Sequence, residues 1–114
     1  MQLLNQSKNQ VVTPYLEKAS GLIDRMTGLL GTASLPDDKA LWITSCSSIH
    51  TFFMNYPIDV VFVDRALKVR RTFANVKPWR MTLPVLGASS VFEFSAGAIA
   101  RHRIEVGDQL HVGD

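Results

Sequence analysis

The chain predicts a mainly β (α+β) fold. The expected form is a compact antiparallel β-sandwich or partly closed barrel, with one amphipathic helix over residues 20–31 packed on it and a short helix or turn over 97–104. Three observations carry this. Short runs rich in Val, Ile, Phe and Thr recur between turn signals. One stretch alone shows a sustained helical period. The regular strand–helix alternation of a parallel α/β sheet is absent.

Residues 2–6 and 9–18 predict a first pair of strands, with Ser7, Lys8 and Asn9 as the turn. Pro14 lacks an amide donor, so the second run lies at an edge or bends there. Over residues 20–31, Leu22, Ile23, Met26, Leu29 and Leu30 fall on one helical face. Ser20 suits the N-cap and Gly31 the C-terminal stop. Gly28 inside the helix predicts close packing against a sheet. Pro36 to Asp38 form a loop, and residues 40–45 return to strand composition, continued by the run 49–54.

Residues 58–64 are the clearest strand, being β-branched and aromatic almost throughout. Asp64 to Leu67 turn the chain back into a strand over 68–74. Asn75 to Ala88 form a long connection around Lys77, Pro78, Trp79 and Arg80, a length typical of functional loops. Residues 90–94 alternate, which predicts a strand with one wet face. Gly97 and Gly107 suit positive backbone dihedrals at turns, Asp108 adds turn chemistry, and residues 109–112 close the chain as a last strand.

With 114 residues, one domain is the default, and this length can bury a core without staples. A chain that is 46% hydrophobic and 19% charged is not disordered. The net charge of +2 is too small for a nucleic-acid partner. Lys68, Arg70 and Arg71 are a local basic group that reads as solvated surface. The single cysteine excludes an intrachain disulfide. No apolar run approaches the roughly 20 residues of a membrane span, and the first residues lack a leader pattern, so the expectation is a cytoplasmic protein with no membrane partner.

The motifs Arg25-x-x-Gly28-Leu29-Leu30, Ile49-His50-Thr51-x-x-Met54-x-x-Pro57-Ile58-Asp59-Val60-x-Phe62, Lys77-Pro78-Trp79-Arg80, Glu93-x-x-Ala96-Gly97 and Gly107-Asp108 span nearly the whole chain. In these the sequence resembles domain-of-unknown-function family 192, of bacteria and archaea. The resemblance implies a compact, mostly antiparallel β domain with a helix packed on it. It implies no established activity, cofactor or catalytic residue. Many members of that family carry an export signal, which this sequence does not show.

Residues 46–64 concentrate polar groups in apolar surroundings, where an unpaired one costs about 1–3 kcal/mol, so each must be bonded or functional. Cys46, His50 and Met54 offer thiolate, imidazole and thioether, a soft-metal set. At i, i+4 and i+8 on a strand they would stand roughly 13 Å apart per step, so core packing outweighs metal binding. His50 and Asp59, folded together across Tyr56 and Pro57, would make an acid–base pair, but no nucleophile accompanies them. The competing reading has Asp59 holding a turn or a backbone amide. Arg25, Lys77, Trp79 and Arg80 would form an anion or sugar platform, balanced against a solvated loop.

The sequence therefore favours a non-catalytic binding domain over an enzyme. A small polar or anionic ligand would sit in a shallow pocket where the His50–Met54 run meets the Trp79 loop. His50, Thr51 and Asp59 would orient it, Met54 and Trp79 would form its apolar wall, and Lys77, Arg80 and Arg25 would draw its charge. No cofactor is expected. The alternative is a structural or adaptor module with a protein partner.

Overall fold

The structure, a computed structural model, describes residues 1–20, 35–51 and 54–113. Of the helix expected over 20–31, Ser20 instead ends a strand, and residues 21–31, Arg25 included, lie outside the described residues. The described elements are β1 (Gln2–Asn5), β2 (Gln10–Thr13), β3 (Tyr15–Ser20), β4 (Lys39–Thr44), β5 (Ile58–Val63), β6 (Val69–Val76), β7 (Ser90–Ser95), a short helix α1 (Ala98–His102) and β8 (Leu110–Gly113).

Two sheets result. The smaller runs β2-β1-β8 and the larger β3-β4-β7-β5-β6. Among the described residues the larger sheet stays open between β3 and β6, so the sandwich form holds and no barrel closes. Five ladders are antiparallel, but β3 pairs with β4 in parallel from Tyr15↔Lys39 to Ser20↔Thr44. This one ladder departs from the antiparallel expectation. A parallel pair needs a long crossover, and residues 21–38 supply the length.

Pro14 accounts for the split of the 9–18 run. With no amide to give, it stands between β2 and β3, which enter different sheets. Thr13 secures the break, its hydroxyl bonding the Asp38 carbonyl and accepting the Tyr15 amide at 3.3 Å. The Asp64–Leu67 turn forms as expected. Asp64 Oδ1 accepts the amides of Ala66 at 2.9 Å and Lys68 at 3.0 Å.

The centre of the larger sheet, β5 and β7, is buried on both faces. Leu3, Val12 and Leu110 of the small sheet pack against Val61, Val63, Phe92 and Phe94 on one face. Trp42 stacks on Phe92 there, ring centroids 5.6 Å apart. On the other face Ile43, Ile58, Val60, Phe62 and Val91 meet Leu35, Ile49, Met54 and Tyr56, which belong to loops. Every residue of β5 and β7 is buried. The expected wet face of residues 90–94 is thus overturned: Glu93 is fully buried beside Leu41 and Val60, because loops cover the face that alternation leaves polar.

The chain ends are tied by one polar cluster. Asp108 accepts from Asn5 Nδ2 at 2.9 Å, from Lys8 Nζ at 2.8 Å and from the Glu105 amide at 3.0 Å. Lys8 also pairs with Glu105 at 2.9 Å. Burial pushes the Asp108 carboxyl up, but the bonds from Lys8, Asn5 and the Glu105 amide outweigh it and hold the group below the usual aspartate range. The same bonds to Asp108 and Glu105 hold the Lys8 ammonium above the usual lysine range. Gly97 and Gly107 take the positive φ expected of them, 98° and 95°.

Candidate functional site

The described residues of the run 49–54 lie outside the named strands. They form a loop zipped to the long connection after β6. Thr82 donates its amide to the Ile49 carbonyl at 2.9 Å, and the Ile49 amide donates to the Thr82 hydroxyl at 3.1 Å. His50 and Met81 form an isolated antiparallel bridge. Further along, the Val85 amide donates to the Ser47 carbonyl at 2.8 Å and the Cys46 amide to the Ser89 carbonyl at 3.1 Å. Two loops distant in sequence thereby become one layer over the second face.

Thr51 is the pin of that layer. Its amide donates to the Arg80 carbonyl at 2.8 Å, and its carbonyl accepts the Trp79 amide at 3.0 Å. Its hydroxyl donates to the Lys77 carbonyl at 2.6 Å and accepts the Arg80 amide at 2.9 Å. Thr51 is fully buried, with its hydroxyl engaged on both sides. The ligand contact expected of Thr51 is thus met by a fully buried side chain that anchors the loop, its hydroxyl held between the Lys77 carbonyl and the Arg80 amide.

What Thr51 anchors is an exposed tip. Lys77, Trp79 and Arg80 all face solvent, with 58% of Trp79 exposed. Trp79 holds φ at 63°, a left-handed conformation that bulky residues seldom adopt. His50 is half-buried at the base of the tip and Met54 is sealed in the core beneath. The structure thus joins His50, Lys77, Trp79 and Arg80 on one loop pair, with Met54 backing them. Met81 and Leu83 were missed as neighbours of Trp79. Both are exposed, on either side of the inward Thr82.

Asp59 does not belong there. In β5, Ile58, Val60 and Phe62 face the second core, whereas Val61 and Val63 face the first, so alternation turns Asp59 away from the His50 loop. Its Oδ1 accepts the Asn75 amide at 2.8 Å and its Oδ2 the Ile99 amide at 2.9 Å. The His50–Asp59 acid–base pair is corrected on this ground, and Asp59 is removed from the ligand set. The backbone-holding role weighed against catalysis is the one observed.

Cys46 and Met54 pack into the second core, and the Cys46 thiol donates to the Ser48 carbonyl at 2.9 Å. Among the described residues no three His, Cys, Asp or Glu side chains gather as a metal would require. No helix among them is long and apolar enough to cross a membrane.

The comparison with known families covers almost every residue described above. The sequence model of domain-of-unknown-function family 192, described as an uncharacterized ACR, matches residues 3–112. The chain belongs to family 192. Its relatives include a UPF0127 protein of Thermococcus sibiricus, 32% identical over 95% of this chain and 72% of that protein. A UPF0127 protein of Pyrococcus horikoshii is 28% identical over 95% of this chain and 96% of that one. A crystal structure of a protein of unknown function from Novosphingobium aromaticivorans shares the fold, with a TM-score of 0.80 at 22% identity, over 98% of this chain and 84% of that one.

Proposed function

We propose that this family 192 domain is a non-catalytic binding domain, and that a small polar or anionic ligand is received on the loop pair 49–54 and 77–81. The observation that supports the reading is the anchoring of Lys77, Trp79 and Arg80 by Thr51. Four hydrogen bonds hold a tip whose side chains face water and whose tryptophan sits in a costly backbone conformation. Scaffolds of this kind fix recognition groups before the ligand arrives, which lowers the entropy cost of binding.

In this reading the roles divide by chemistry. Lys77 and Arg80 draw a negative charge, and the Arg80 guanidinium takes a carboxylate or phosphate in bidentate fashion. The Trp79 indole offers a flat apolar face to a sugar ring or methylene chain. His50 adds a polar edge at the base. Amide-shift titration with sugars, sugar phosphates and small carboxylates tests it. Saturable shifts clustered on 49–54 and 77–81 are expected; shifts absent or confined elsewhere retire the reading.

A protein-contact reading has one observation of its own. Met81, Leu83 and Leu86 are 68%, 82% and 92% exposed on the same connection as Trp79. Apolar side chains grouped this way favour association. Under that reading Leu83→Ser abolishes partner capture, while ligand titration gives no local shifts.

A further inference from the structure

The geometry points to a separate phosphate-ester site in the cleft between β6 and the 84–87 loop. The cleft has a volume of about 660 Å³ and is lined by Lys68, Arg70 and Arg71 on one side and by Pro84, Leu86 and Val106 among its apolar residues. Ligand sites fall at about 300–1,000 Å³, so a substituted phosphate fits it. Among the described residues no carboxylate lines the cleft. Among the described residues, neither Lys68 nor Arg70 enters an ion pair.

A β-bulge brings the two arginines together. Register passes from Val63↔Val69 to Phe62↔Arg71, so Arg70 is the extra residue of β6. Strand alternation would send consecutive side chains to opposite faces, and a bulge re-aims them. Arg71 lies over the Phe73 ring at 4.8 Å, and the Arg70 guanidinium lies against Gly87. Phe73 packs against the second core, as do Val85 and Ala88 of the loop that carries Gly87, so both guanidinium groups serve the same face.

Gly87 is shaped for this contact. Its φ is +82°, and a Cβ there would stand 2.9 Å from a terminal nitrogen of Arg70. The Val69 amide and carbonyl are already taken by Asp108 and Gly107, each at 2.9 Å. Recognition therefore falls to the cationic side chains. Two guanidinium groups and an ammonium match the several oxygens and near-double charge of a phosphate monoester better than one carboxylate. Leu86 and Val106, 92% and 63% exposed, supply an apolar wall for the ester's organic part.

The test uses the full chain, with phenyl phosphate and inorganic phosphate as probes, followed by amide shifts and calorimetry. Phenyl phosphate is expected to saturate residues 68–71, 84–87 and 106–107 at least about fivefold more tightly than inorganic phosphate. Arg70→Ala and Arg71→Ala are each expected to weaken it about tenfold, and Arg70→Lys by a smaller factor, since charge survives but the planar fork does not. Leu86→Ala is expected to bring phenyl phosphate down to the level of inorganic phosphate. No saturable binding below about 10 mM overturns the site. So does equal weakening by Lys39→Ala, whose ammonium lies outside the cleft, paired with Glu17.

Discussion

Asp59 caps helix α1 from across the fold: its Oδ2 accepts the Ile99 amide at 2.9 Å, where Gly97 at the N-cap offers no side-chain bond. The carboxylate does what a capping serine would do from within the helix, and a negative charge at that end is favoured. Its other oxygen takes the Asn75 amide at the end of β6. One side chain in β5 therefore ties a strand end and a helix start to the sheet. Asp59→Ala leaves both amides without their acceptor and is expected to cost about 2–4 kcal/mol in urea unfolding. Ligand shifts on 77–81 should persist in whatever fraction stays folded. A loss below about 0.5 kcal/mol would contradict the capping role.

Thr51→Val removes the hydroxyl but keeps the shape. The Lys77 carbonyl and Arg80 amide lose their partner, at an expected cost of about 1–3 kcal/mol. Amide exchange should accelerate at Arg80 before the sheet opens, whereas Thr51→Ser retains protection. Unchanged exchange at Arg80 in the valine variant would show that the hydroxyl is not the anchor.

Trp79 sits at a positive φ that glycine accepts and L-residues resist. Trp79→Gly is therefore expected to be more stable than Trp79→Ala by about 1 kcal/mol, against the usual order, because glycine relieves the left-handed strain. Both variants should lose ligand affinity alike. An alanine variant as stable as the glycine one, in paired denaturant melts, would remove strain from the account.

Asp108 and Lys8 make stability depend on pH at both ends. A carboxyl held low in the folded state contributes fully above its unfolded value of about 3.9, and the contribution fades as pH falls through the lower folded value. An ammonium held high contributes below about 10.4 and fades as pH rises through the higher folded value. Asp108→Asn is expected to cost about 1–3 kcal/mol at pH 7 and much less at pH 2. Urea midpoints for both proteins across that range decide it, and a gap independent of pH would sink the linkage.

The second core separates Met54 from its exposed neighbours. Met54 is 6% exposed among Ile49, Ile58 and Val60. Met54→Ala should cost about 2–5 kcal/mol, the penalty of a partly collapsed cavity. Arg80→Ala, at the surface, should stay within about 0.5 kcal/mol of the parent while lowering anion affinity. If the two variants melted alike, the division between wall and recognition groups would fail.

Local chemistry in the sequence was enough to set β5, the Asp64 turn, the break at Pro14 and the positive φ of Gly97 and Gly107. Each depends on a residue and its immediate neighbours: a β-branched run, an Asx turn, a missing amide, an absent Cβ. The tip formed by Lys77, Trp79 and Arg80 was legible too, because tryptophan between cations in a proline loop is a local signal. Tertiary structure alone decided the rest. In a strand buried on both faces, hydropathy does not alternate, so the sequence could not tell that Asp59 and the His50 loop serve opposite sides of the sheet. The parallel β3–β4 ladder and the zipped 46–51 and 80–89 loops join residues far apart in the chain, where burial and long-range hydrogen bonding choose the partner. The bulge that aligns Arg70 with Arg71 likewise exists only against Phe62 of the neighbouring strand.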